Sequence, residues 1–114
     1  MKHLILGILL FFCGQSLVWL QTNGQFVWPW IKKNPFIVSA VGGITISYIF
    51  IRATNELFTY YDGQLWPGRF IGFATGMVAF SVLTYFIMGE TMNTKTIVSL
   101  CLAGILLCVQ IFWK

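Results

Sequence analysis

The sequence predicts an all-α fold: an integral membrane four-helix bundle running up-down-up-down. Three observations lead there. Of 114 residues, 58% are hydrophobic and 9% charged, against roughly 25% charged in a soluble domain; so few charges cannot clothe a water-facing surface. Four apolar runs stand apart, at about 4–20, 36–53, 70–88 and 96–113, each near the short end of the roughly 17–25 residues that cross a bilayer as a helix. The connections are short, which sets consecutive helices side by side and antiparallel. The whole chain, 1–114, reads as a single transmembrane domain.

The first run contains "LILGILLFF", with none of the alternation of a barrel strand. Backbone groups in lipid must be satisfied within their own segment, so the run is a helix. Lys2 and His3 precede it as in a secretory signal, but no A-x-A-like site follows, and "LLFFC" puts Phe12 where a lipoprotein signal needs a small residue. The run is therefore expected to remain as a span. The connection "NGQFVWPWIKKNP" (23–35) combines turn formers with Trp28, Trp30, Lys32 and Lys33, a composition suited to the membrane interface. Pro29 and Pro35 mark helix ends or starts. The second run extends a turn or two past residue 53 and breaks at Asp62-Gly63. Over that extension Glu56 follows Arg52 by four residues, the spacing of a helical ion pair. Tyr60, Tyr61 and Trp66 mark the other interface. After the third run, "GETMNTK" (89–95) is a short turn in which Asn93 or Thr94 caps the last helix.

Lipid provides no hydrophobic drive for helix association, so close contacts fall to small residues. Ser39, Gly43 and Ser47 recur every fourth position on the second helix, Gly72 and Gly76 on the third, and Ser99 and Ala103 on the fourth with Gly104 beside them. These stripes pack helices either within the bundle or between protomers. Cys13, Cys101 and Cys108 all lie in apolar runs and read as small packing residues.

Several function classes are excluded. The seven basic residues are scattered and flank the apolar runs, giving a net charge of +4 without a basic stripe, so no nucleic-acid partner is expected. No clustered His/Cys/Asp/Glu set exists to hold a metal, and no motif calls for a cofactor. The acids Glu56, Asp62 and Glu90 lie outside the spans and His3 sits at the terminus, so no catalytic constellation forms and an enzyme is not expected. The positive-inside rule scarcely orients the chain: Lys2, Arg52, Arg69 and Lys114 would share one side, Lys32, Lys33 and Lys95 the other, four against three. A single orientation and insertion in both directions are both open.

Polar groups inside the spans remain. Gln15 and Ser16 lie two-thirds along the first helix, with Trp19 on the side of Gln15; Thr45, Ser47 and Tyr48 lie in the second, Thr75, Ser81 and Thr84 in the third, Gln110 in the fourth. They act either as interhelical hydrogen-bonding groups, typically worth about 0.6 kcal/mol each, or as the lining of a cavity built from Gln15, Ser16, Trp19 and Tyr48. Gln15 has no titrating group and cannot itself carry a proton.

The layout resembles the small multidrug resistance proteins of the drug/metabolite transporter superfamily. The segment "MGETMNTKTIVSLCLAGILL" (88–107) is similar to that family's passage from third to fourth helix, and "NGQFVWP" (23–29) to the segment between the first two. The resemblance implies a dimer that moves a small polar or amphipathic molecule by alternating access across a bacterial-type inner membrane. It also implies a proton-binding glutamate in the middle of the first helix, where this chain has "FFCGQSLVW" and no acid, so proton coupling through that position is not expected. Two alternatives stand beside this reading: an accessory or structural subunit of a larger membrane complex, and a lipid-carrier flippase subunit. The partners expected are the bilayer and either a second copy or another membrane protein.

Overall fold

The computed structural model describes residues 1–113; Lys114, counted above among the basic flanks, lies outside the described residues. Among those described, the chain is helical and forms no strand. In order come α1 (Lys2–Asn23), a 3-10 turn (Gly24–Phe26), the short α2 (Pro29–Lys33), α3 (Pro35–Tyr60), α4 (Trp66–Leu83), a π turn continuing it (Thr84–Met88) and α5 (Thr94–Phe112). Four segments are long and apolar enough to cross a membrane: Lys2–Phe26, Pro35–Tyr60, Trp66–Met88 and Thr94–Phe112. This is the architecture of a multi-pass integral membrane protein. The 26 residues of α3 extend about 39 Å at the helical rise of ~1.5 Å per residue, enough to reach head-group level at both ends.

Local chemistry sets the boundaries. Pro29, Pro35 and Pro67 all sit in the first turn of their helices, where the missing N–H would have had no helical partner. The chain leaves α3 through Asp62 and Gly63, both in the left-handed region at φ 55° and 87°. Gly89, at φ 71°, ends the π turn, a conformation glycine adopts without the Cβ penalty. Asn93 Oδ1 accepts from the Thr96 backbone N–H at 2.8 Å and caps α5.

The long helices lie in a row, α3–α1–α4–α5, with α1 packed on both α3 and α4, and α5 packed on α4. The resulting slab measures 46 × 36 × 18 Å. Along the α1–α3 contact Gly7 faces Leu57 and Gly14 faces Phe50, so the two helices pass in opposite order. Along α1–α4, Phe11 lies on Gly72, Gln15 on Gly76 and Trp19 on Thr84, so positions rise together. The core, Leu4, Phe11, Ala53, Leu57 and Ile71, sits where α1, α3 and α4 converge. Leu4, Gly7, Phe11 and Gly14 are buried on α1 at steps of three and four, one face of the helix. A Cβ at Gly7 would stand 2.7 Å from Leu57 Cγ, so glycine is what lets α3 come this close.

The small-residue stripes divide. Gly72 and Gly76 are engaged, receiving the Phe11 ring and the Gln15 amide, and Ala103 is buried. Ser39, Ser47 and Ser99 face outward, with Ser39 and Ser99 bonding back to Phe36 and Lys95 carbonyls of their own helices. A Cβ at Gly43 or Gly104 would meet nothing within 4 Å. The reason is that α3 turns a different face to α1, one carrying Ile46, Ala53 and Leu57, and the glycines that seat it, Gly7 and Gly14, belong to α1. Cys13, Cys101 and Cys108 also face outward instead of filling helix contacts.

The expected Arg52–Glu56 pair is corrected. Glu56 pairs with His3, and Arg52 donates instead to the Tyr48 hydroxyl at 3.3 Å. The docking of α1 against the end of α3 brings the imidazole to the carboxylate, so His3 is not a loose terminus. Nearby, Tyr61 Oη donates to the Gln110 backbone carbonyl at 2.7 Å and fastens the end of α5. Burial, with Tyr60 beside it, pushes the Tyr61 phenol above its ordinary range, which keeps it a hydrogen-bond donor.

Candidate functional site

Several polar residues of the apolar interior meet along the α1–α4 seam, while Gln21 turns its buried side-chain oxygen toward Gly42 of α3. Gln15 Nε2 donates to the Gly72 carbonyl at 3.0 Å, an oxygen that also accepts from Thr75 Oγ1 at 3.0 Å. Just over one turn further along α1, Trp19 is 2% exposed and its Nε1–H donates to Thr84 Oγ1 at 2.9 Å. Thr84 is the first residue of the π turn. A π turn displaces side chains from their α-helical register and is often found at functional sites; here the residue it begins with reaches the indole. Gly76 makes room for the Gln15 amide, since a Cβ there would lie 2.9 Å from Gln15 Cδ.

Of the four cavity residues expected from the sequence, two come together on this seam. Gln15 and Trp19 face α4 as described. Ser16 bonds to the Phe12 carbonyl of its own helix at 2.8 Å. Tyr48 is 61% exposed on the outer side of α3, taking the Arg52 hydrogen bond.

Two cavities adjoin the seam. The first, about 450 Å³, lies where α1, α3 and α4 converge. Phe11 and Gln15 enter it from α1, Phe50 and Thr54 from α3, and Gly68, Arg69, Gly72 and Phe73 from α4. It lies on the Arg69 side of Gln15, toward the end of the slab that carries Glu56, Tyr60 and Tyr61. The second, about 260 Å³, lies between α4 and α5 toward the opposite end, with Ser81, Thr84, Tyr85, Glu90 and Lys95 in its wall. Thr84 is thus both the acceptor for Trp19 and a wall of the second cavity, while Gln15 and Gly72 wall the first. The Gln15 and Trp19 hydrogen bonds fasten α1 to α4 at residues that wall the two spaces, Gln15 and Gly72 the first and Thr84 the second.

The first cavity pairs three phenyl rings with an amide, a hydroxyl and one guanidinium, an apolar site with few polar groups that suits a small amphipathic molecule. Sequence reasoning missed Arg69, Thr54, Phe50 and Phe73 because a cation near a span end reads as an interfacial anchor and an isolated phenylalanine as lipid-facing. Thr84 stood among the polar residues of its span, but its partner is 65 positions away. Among the described residues no three His, Cys, Asp or Glu side chains come together as a metal site.

Compared with family models, with curated proteins and with solved structures, the chain matches none.

Proposed function

We propose that this protein is a small-molecule transporter of the bacterial-type inner membrane, threaded up-down-up-down, working as a dimer and carrying an amphipathic ligand by alternating access rather than catalysing a reaction. The observation that carries this reading is that the two hydrogen bonds of the α1–α4 contact, Gln15–Gly72 and Trp19–Thr84, each involve wall residues of a different cavity. Opening that contact toward one cavity while closing it toward the other is the motion that transport needs. The sequence resemblance to small multidrug resistance proteins points the same way. No acid lies on the seam, so energy coupling through a seam carboxylate forms no part of the reading.

The test uses proteoliposomes and three tritiated probes with one decyl tail: decyltrimethylammonium, decylphosphocholine and decyl phosphate. Protein-dependent flux of at least one probe is expected, with Gln15→Ala reducing it roughly tenfold, the scale of a lost polar contact to ligand and helix together. Flux of none of the three, or wild-type flux in Gln15→Ala, overturns the role given to the seam. A cysteine at Gln64, in the exposed loop between α3 and α4 and outside both cavities, with Cys13, Cys101 and Cys108 replaced by Ala, reports orientation through an impermeant thiol reagent. Labelling from both sides supports an antiparallel dimer, and labelling from one side removes it.

A second reading is favoured by one observation. Helix α5 buries only Ala103 among the described residues and turns a long apolar face outward, as a subunit docking into a larger membrane complex would. Co-purification with other membrane polypeptides, without a self-dimer in mild detergent, would select it.

A further inference from the structure

The charge of the first cavity names its ligand class. Arg69 is the only charged residue in its wall. Among the described residues the one contact between a basic side chain and a carboxylate is His3–Glu56, so Arg69 has no carboxylate partner. The second cavity is the internal control: there Lys95 shares the wall with Glu90, and the charges are matched in kind. The backbone adds to the asymmetry. Gly68 and Arg69 belong to the first turn of α4, which carries no acidic residue, so the positive end of an 18-residue helix dipole stands in the cavity wall without the carboxylate that commonly balances it. Phe11, Phe50 and Phe73 line the wall beside them with Gln15, Thr54, Leu65 and Gly72.

We infer that this cavity binds a single-chain amphipathic organic anion, its carboxylate or phosphate head at Arg69 and its apolar body among the three phenyl rings. Guanidinium and oxyanion meet through two parallel hydrogen bonds, stronger than neutral ones; Arg69 is exposed, so the head group sits at the open rim of the cavity. The same Arg69 excludes organic cations, which would meet an unpaired positive charge beside apolar surface. A volume of about 450 Å³ lies within the range of small-molecule sites, which favours a single-chain amphiphile over a two-chain phospholipid. The assignment rests on the transport reading for its physiological meaning, but binding can be measured without transport.

The experiment places the full chain in nanodiscs of phosphatidylcholine and measures saturable binding of tritiated decyl phosphate and decyltrimethylammonium against empty discs. Wild type is expected to prefer decyl phosphate by at least about tenfold, the scale of a charge-assisted hydrogen bond. Arg69→Gln erases the preference, Arg69→Lys keeps part of it because the charge stays while the fork is lost, and Lys95→Gln leaves it intact. Helicity by circular dichroism identifies variants that fold. A cation preference in wild type, or an unchanged anion preference in folded Arg69→Gln, overturns the inference, as does a preference lost equally in Arg69→Lys and Lys95→Gln. Added phosphatidylglycerol is expected to compete weakly; displacement at equal concentration would overturn the single-chain assignment. Anion binding at Arg69 without flux in liposomes would sink the transport reading alone; flux with no charge preference would sink this inference alone.

Discussion

Helices α1 and α5 are alike in apolarity and opposite in circumstance. Both carry cysteine, glycine and long aliphatic runs, and each is long and apolar enough to span a membrane. Yet α1 buries Leu4, Gly7, Phe11, Gly14 and Trp19 between two neighbours, whereas α5 buries Ala103 among the described residues and rests mainly against α4. The difference lies in what meets each glycine. Leu57 and Phe50 fill the space over Gly7 and Gly14, and nothing lies within 4 Å of a Cβ at Gly104. In a bilayer hydrophobicity drives insertion but not association, so the helix that belongs to the core is distinguished by shape and by hydrogen bonds. The outward face of α5 is left for lipid or for another subunit.

The strongest way to break the contrast is to fill a seated glycine. Gly7→Ala sets a methyl group against Leu57 Cγ, which is fully buried and cannot swing away. Overpacking of this kind costs about 1–3 kcal/mol, to be read as a lower midpoint when the protein is titrated with dodecyl sulfate and followed by circular dichroism. An unchanged midpoint would mean that α1 and α3 are not in this register.

A finer test removes one hydrogen bond and keeps the ring. Trp19→Phe deletes the Nε1–H that reaches Thr84 while filling most of the same space. The expected loss is about 1 kcal/mol, part bond and part lost volume. Pairing it with Thr84→Val in a double-mutant cycle isolates the bond, and strictly additive losses would show that the two groups do not interact.

The smallest effect is expected on α5. Gly104→Ala adds a methyl group to open space and should leave the midpoint unchanged or raise it by up to about 1 kcal/mol through helix propensity. Should it instead weaken self-association on a sizing column while the monomer stays folded, a second copy occupies this face, and the difference between α1 and α5 becomes one of partner rather than of burial.

The sequence by itself determined that the chain is helical and membrane-embedded, because a bilayer demands apolar length and internal backbone bonding, and both are local properties. Prolines in the first turns, glycine and aspartate at positive φ, and Asn93 at the start of α5 are local chemistry too. Gln15 was legible as an anomaly because an amide in an apolar run stands out. Tertiary structure alone decided which stripe each helix buries. It chose Gly72 and Gly76 over Ser39, Gly43 and Ser47, gave Glu56 to His3 instead of Arg52, and turned Tyr48 outward. It also set Arg69 in a cavity with three phenylalanines from three helices. Hydropathy cannot rank equally apolar faces. Their pairing depends on shape complementarity between residues tens of positions apart, and those contacts exist only once α1 lies between α3 and α4.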